Sequence, residues 1–168
     1  MDWEDKETVK KGNIGERLVN DYLHKIGLIV YEPITDGAHA FDKLVAKGKE
    51  RLIIAEVKTK AKRSYYPDTG INYRHYLEYK KISENHNLPV WLFFVDEVLG
   101  EIYGGKLSDL EQPNSYELNG KNYSYPVVNG SDNDKIIYFY QPSMKSVCKL
   151  TPEQIEEIKA HSTRNYEY

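Results

Sequence analysis

The sequence predicts an α/β fold, a mixed central β-sheet flanked by helices, on three observations. Val9, Val19, Tyr22, Leu23 and Ile26 recur at helical spacing across residues 6 to 26, the mark of a helix with one buried stripe. Two short runs, Leu52-Ile53-Ile54-Ala55 and Val90-Trp91-Leu92-Phe93-Phe94-Val95, are apolar throughout and rich in β-branched and aromatic residues, as buried strands are. A second helical segment, residues 72 to 86, separates those runs, so strand and helix alternate.

The elements follow in order. Gly12 and Gly15 lie on the stripe of the first helix, where they permit close approach to a sheet at some cost in helix propensity. Residues 28 to 32 form a first strand ended by Pro33, and residues 35 to 39 a loop in which Asp36 and His39 read as ordinary turn and loop residues. From Phe41 to Ala46 the chain alternates, with Asp42, Leu44 and Ala46 on one face, and Gly48 turns it into the strand of residues 52 to 58. Tyr66-Pro67-Asp68-Thr69-Gly70 reads as a turn, and Asn72 caps a helix to about His86 whose Tyr73, Tyr76, Leu77 and Tyr79 gather on one side. After the strand of residues 90 to 95, another begins at Gly100. Beyond Pro113 tyrosine and asparagine dominate; an Asn119-Gly120 hairpin, a strand over residues 135 to 140 and a final helix opened by the capping box Thr151-Pro152-Glu153-Gln154 complete the chain.

With 168 residues, 40% of them hydrophobic, the chain suits one domain, a core of about residues 6 to 107 with a β-rich extension over about 108 to 168. The N-terminal stretch is charged and the longest apolar run is far too short to span a bilayer, so neither export nor a membrane partner is expected. The single cysteine, Cys148, excludes an internal disulfide and a cysteine-based zinc site, which fits a reducing cytoplasm and a small buried apolar role.

Glu-x-Lys occurs four times, and three copies lie in or beside helical segments, where residues two apart diverge. Glu56-Val57-Lys58 instead ends a buried strand, whose period of two aligns carboxylate and ammonium. A three-residue loop joining Lys47 to Arg51 places Asp42 directly opposite Glu56. Like charges so opposed destabilise a sheet, and two acids held together call for a cation; Mg²⁺ takes oxygen ligands of this kind, one or two carboxylates plus substrate phosphate.

Net charge is −3, which argues against nonspecific coating of nucleic acid. Its distribution is more informative. Residues 43 to 63 carry eight bases against two acids, while residues 85 to 168 carry seven against twelve. The basic segment surrounds the acid pair, so Lys60, Lys62 and Arg63 are candidate contacts to a polyanion; the alternative is a solvated edge protected by lysines. The tyrosines of the C-terminal part could stack on unpaired bases or pack across strands.

Asp42, thirteen residues, then Glu56-Val57-Lys58 on adjacent strands resembles the PD-(D/E)XK nuclease superfamily, with Phe41 where proline is usual. The resemblance spans roughly residues 10 to 95 and includes Glu16 of Gly12-Asn13-Ile14-Gly15-Glu16-Arg17-Leu18, which looks like the N-terminal helix glutamate of the resolvase-like branch. It implies a restriction-endonuclease-like core ordered helix, strand, strand, strand, helix, strand. It further implies that Asp42 and Glu56 bind Mg²⁺, with Mn²⁺ able to substitute, and that the carbonyl of Val57 is an added ligand. Lys58 would serve the attacking water or phosphate, and Glu16 would be an outer ligand, water positioner or rim ion-pair partner. Because this family's second helix often lends the site a polar residue, Lys80 is a candidate phosphate contact, with snorkelling to solvent the alternative.

The expected function is that of a Mg²⁺-dependent deoxyribonuclease of endonuclease type, with DNA as partner and the oligomeric state open, a homodimer included. A catalytically silent nucleic-acid- or protein-binding member of the same fold, or a surface ion-pair ladder built from Asp42, Glu56, Lys58 and Lys60, are the competing readings.

Overall fold

The computed structural model describes residues 2–34, 39–49 and 51–164. Helix α1 (Glu7–Lys25) leads into β1 (Ile29–Tyr31), β2 (Lys43–Lys47), β3 (Arg51–Thr59), β4 (Asp68–Asn72), α2 (Tyr73–His86), β5 (Val90–Asp96) and β6 (Glu101–Lys106). The short α3 (Leu107–Leu110), β7 (Asn114–Leu118), β8 (Lys121–Tyr125), β9 (Val127–Asn129), β10 (Ile136–Tyr140), β11 (Lys145–Lys149) and α4 (Pro152–Ala160) follow. The main sheet has six strands in the order β1-β2-β3-β5-β6-β11. Only β3 and β5 run parallel, so the sheet is mixed, as predicted.

The period of two in β3 builds a core on each face. Ala55 and Val57 face α1 and α4, where they meet Leu18, Val19, Leu23 and Ile158; Ile54 faces the opposite side, with Tyr76, Tyr79, Leu92 and Phe94. The α1 stripe is rotated from the predicted one: Ile14 and Leu18 are buried with Val19 and Leu23, while Ile26 is exposed at the helix end. Leu77, expected on the apolar side of α2, also faces solvent. Cys148 is free and half-buried on β11. No helix among the described residues is long and apolar enough to cross a membrane.

Residues 68 to 70, expected within a turn, instead begin β4, which pairs antiparallel with β10 in a second sheet ordered β4-β10-β9. Local Pro-Asp and Gly chemistry yields here to pairing with a distant strand, and Gly70 is where it must, because a Cβ would collide with the carbonyl of Ile137. The C-terminal part also enters the main sheet, where β11 pairs with β6 across an irregularity between Ser146 and Cys148. The Asn119-Gly120 hairpin, the Asn72 cap and the Thr151/Gln154 capping box form as predicted.

Candidate active site

The β2–β3 register brings the two predicted acids together. Lys47 pairs with Arg51 and Lys43 with Ala55, so the next step sets Asp42 against Glu56 at the end of the ladder. The two residues are hydrogen-bonded crosswise: the Asp42 N–H donates to Glu56 Oε2 at 3.2 Å, and the Val57 N–H donates to Asp42 Oδ2 at 2.7 Å. Lys58 projects from the same face of β3 and donates to Glu56 Oε1 at 2.7 Å. Tyr79, from α2, donates its hydroxyl to that same oxygen and accepts from the Lys58 ammonium at 3.3 Å.

Burial dominates the electrostatics. The side chains of Asp42 and Glu56 retain 14% and 4% of their exposure, and desolvation pushes both carboxyls up from their ordinary range against the hydrogen bond from Val57 and the charge of Lys58. Repulsion between the acids adds to the rise at Glu56, while at Asp42 Glu16 contributes in the same sense. The Tyr79 phenol is likewise pushed up by burial and then by Glu56, which keeps it a donor. The Lys58 ammonium bonds Glu56 directly, whereas Asp42 feels the charges of Lys58 and Lys43 without a direct ammonium bond to Lys58.

The remaining candidates are placed less uniformly. Glu16 reaches the margin of the site from α1, but its Oε2 lies 3.3 Å from the ammonium of Lys43, which is fully buried and 2.7 Å from Glu32 Oε1. An unpaired buried ammonium would cost several kcal/mol, roughly, and this pairing avoids it. His39 lies beside Asp42, its Nε2 3.6 Å from Oδ1, whereas Asp36 falls outside the described residues. Lys80 turns to Glu111 at 3.5 Å, and its neighbour Tyr79 is the α2 side chain that enters the acid cluster.

The basic segment is largely engaged inward. Lys60 donates to the Gly70 carbonyl at 2.9 Å and is half-buried, and desolvation, with Lys58 nearby, lowers its pKa. The Lys62 ammonium contacts the Arg63 carbonyl, and Arg63 makes a two-pronged pair with buried Asp68 at 2.6 Å on each prong. Lys47, Lys49 and Arg51 are exposed at the turn, the end of the hairpin away from Glu56. Sequence reasoning missed Tyr79 and Lys43. A signal existed for each: the hydroxyl of a core-facing tyrosine must find a partner, and Lys43 alternates onto the face of Val45, not that of Asp42.

Among the described residues no group of three or more His, Cys, Asp or Glu side chains is arranged to hold a metal ion. The chain is similar to a solved structure of Archaeoglobus fulgidus Hjc, a Holliday junction resolvase from an archaeal hyperthermophile. Identity is 14% over 68% of this chain and 87% of that one, with a TM-score of 0.49. No protein-family model and no curated protein matches the sequence.

Proposed function

We propose that the chain is a divalent-metal-dependent nuclease acting on DNA. The observation that carries this is the crossed Asp42/Glu56 pair, desolvated and facing across two strands, with the Lys58 ammonium bonded to Glu56. Such a donor set fits a hard cation: Asp42 and Glu56 would hold Mg²⁺ or Mn²⁺, with the Val57 carbonyl as a further oxygen. The bound ion would supply Lewis acidity and make a water bound to it more acidic. Lys58, which donates to Glu56 Oε1, would donate to a phosphate oxygen and offset negative charge as it develops. Tyr79 fixes the orientation of Glu56 through the hydrogen bond to Oε1.

The test is incubation with labelled linear and branched DNAs, with and without Mg²⁺. Cleavage is expected with metal, is lost with chelator, and is lost in Asp42→Asn, Glu56→Gln and Lys58→Ala proteins that remain folded. Undiminished cutting in chelator, or a wild-type rate for Lys58→Ala, would overturn the reading.

A second reading is supported by how fully the acids are already satisfied: Glu56 accepts from the Asp42 N–H, Lys58 and Tyr79, and Glu16 is held by Lys43. On that reading the fold binds nucleic acid or protein without cutting. Mg²⁺-insensitive DNA binding with no cleavage of any substrate would select it.

A further inference from the structure

Beyond Lys58 the chain leaves β3 and builds a stack of rings beside the site. The guanidinium of Arg63 lies over the ring of Tyr138 at 3.8 Å and over that of Tyr66 at 4.1 Å. Its edge is pinned by Asp68 through Nε to Oδ1 and Nη2 to Oδ2, and the Tyr125 hydroxyl donates to Asp68 Oδ2 at 2.5 Å. Asp68 and Tyr125 are buried, so the stack is anchored from beneath. Its outermost layer is Tyr66, which remains 49% exposed, and among the described residues its ring stacks on no other aromatic side chain. The surroundings are basic: Lys60 is within electrostatic reach of both Lys58 and Arg63, and Arg164 donates to Ser64 at 2.7 Å, two residues from Tyr66.

We propose that the outer face of Tyr66 is a stacking subsite for an unpaired base of a nucleic-acid substrate, with Arg63 as its positioning residue. The inference rests on the nuclease reading and names the class of substrate, one with a single-stranded or branched segment beside the cut. A ring held flat by a pinned guanidinium loses little freedom when a base adds a further layer. The flanking bases attract a phosphate backbone, and a π-face is reached only by a base outside a duplex stack. Arg63 is assigned here as a positioning residue because Asp68 takes the Nε/Nη2 fork that would otherwise grip a phosphate two-pronged.

Binding of the full chain in chelator, read by fluorescence anisotropy, tests this with two probes: a labelled single-stranded homopyrimidine oligonucleotide and a duplex of the same length. Tyr66→Leu should weaken single-strand binding about tenfold and leave duplex binding unchanged, while Tyr66→Phe keeps both. Arg63→Lys, which keeps the charge but loses the flat two-pronged pair, should behave like Tyr66→Leu. Should Arg63→Lys melt early, the two exposed-position Tyr66 variants decide alone. Single-strand affinity unchanged in Tyr66→Leu, or equal losses on both probes, overturns the subsite. The nuclease reading fails separately, when the wild type binds these probes yet cleaves no DNA with Mg²⁺.

Discussion

At Glu56 two effects oppose each other: three donors, one of them an ammonium, favour the charged carboxylate, and burial beside Asp42 disfavours it. Burial wins at both acids, and the consequence for stability has a definite sign. The native state holds these protons more tightly than the unfolded chain, so metal-free protein gains stability as pH falls from neutral through the raised values, and the gain levels off below the ordinary carboxylate range. Asp42→Asn should therefore melt higher than wild type in chelator near neutral pH, with the difference shrinking on acidification; melts of both proteins across about pH 4 to 8 check it. A variant that melts lower at neutral pH and shows no pH-dependent difference would contradict the buried-pair account. Removal of the Tyr79 hydroxyl in Tyr79→Phe should slow cleavage by about tenfold or more without altering the metal requirement, as single-turnover rates would show. The placement of Asp42 opposite Glu56 was legible in the sequence because a strand's period and a short loop are local properties. That Tyr79 and Lys43 would need partners carried a signal, but which partners they take was not legible, because those come from elements that only the tertiary fold brings near.

The two glycines of α1 separate at the scale of the element. A Cβ on Gly15 would collide with Thr59 at the end of β3, whereas one on Gly12 would meet open space. Gly12→Ala should stabilise by about 1 kcal/mol through helix propensity alone. Gly15→Ala should destabilise by about 1–3 kcal/mol as α1 is levered from the strand that carries Glu56 and Lys58. Paired denaturant titrations measure both, and a destabilised Gly12→Ala or a stabilised Gly15→Ala would contradict the packing described. The predicted stripe included both glycines, and only Gly15 meets the sheet; the stripe has no means of telling a close contact from a gap. The same limit explains β4: residues 66 to 70 carry strong turn chemistry, and only the arrival of β10 makes the last three of them a strand.

Across the whole molecule the C-terminal part is woven into the rest. Leu150 and Ile158 lie in the core beneath α1, β11 extends the main sheet, and Phe139 and Ile137 pack with α2 on the other face. A chain ended after Leu110 would uncover both cores, and it should lose its cooperative melt and near-ultraviolet circular dichroism; a sharp transition in that fragment would contradict this. The resemblance gave no account of residues beyond about 95; the strand over residues 135 to 140 was legible, but β11 and the pairing of β10 with β4 were not. The pairing of β4 with β10 also orders events in time. Asp42, Glu56 and Lys58 come from one hairpin whose contacts close over a few residues, while Asp68 cannot settle until the chain has been made as far as Tyr140. During synthesis the acids would meet long before the wall of rings formed by Arg63, Tyr66 and Tyr138 is raised, leaving a nascent chain with its acid pair drafted and that wall still unbuilt.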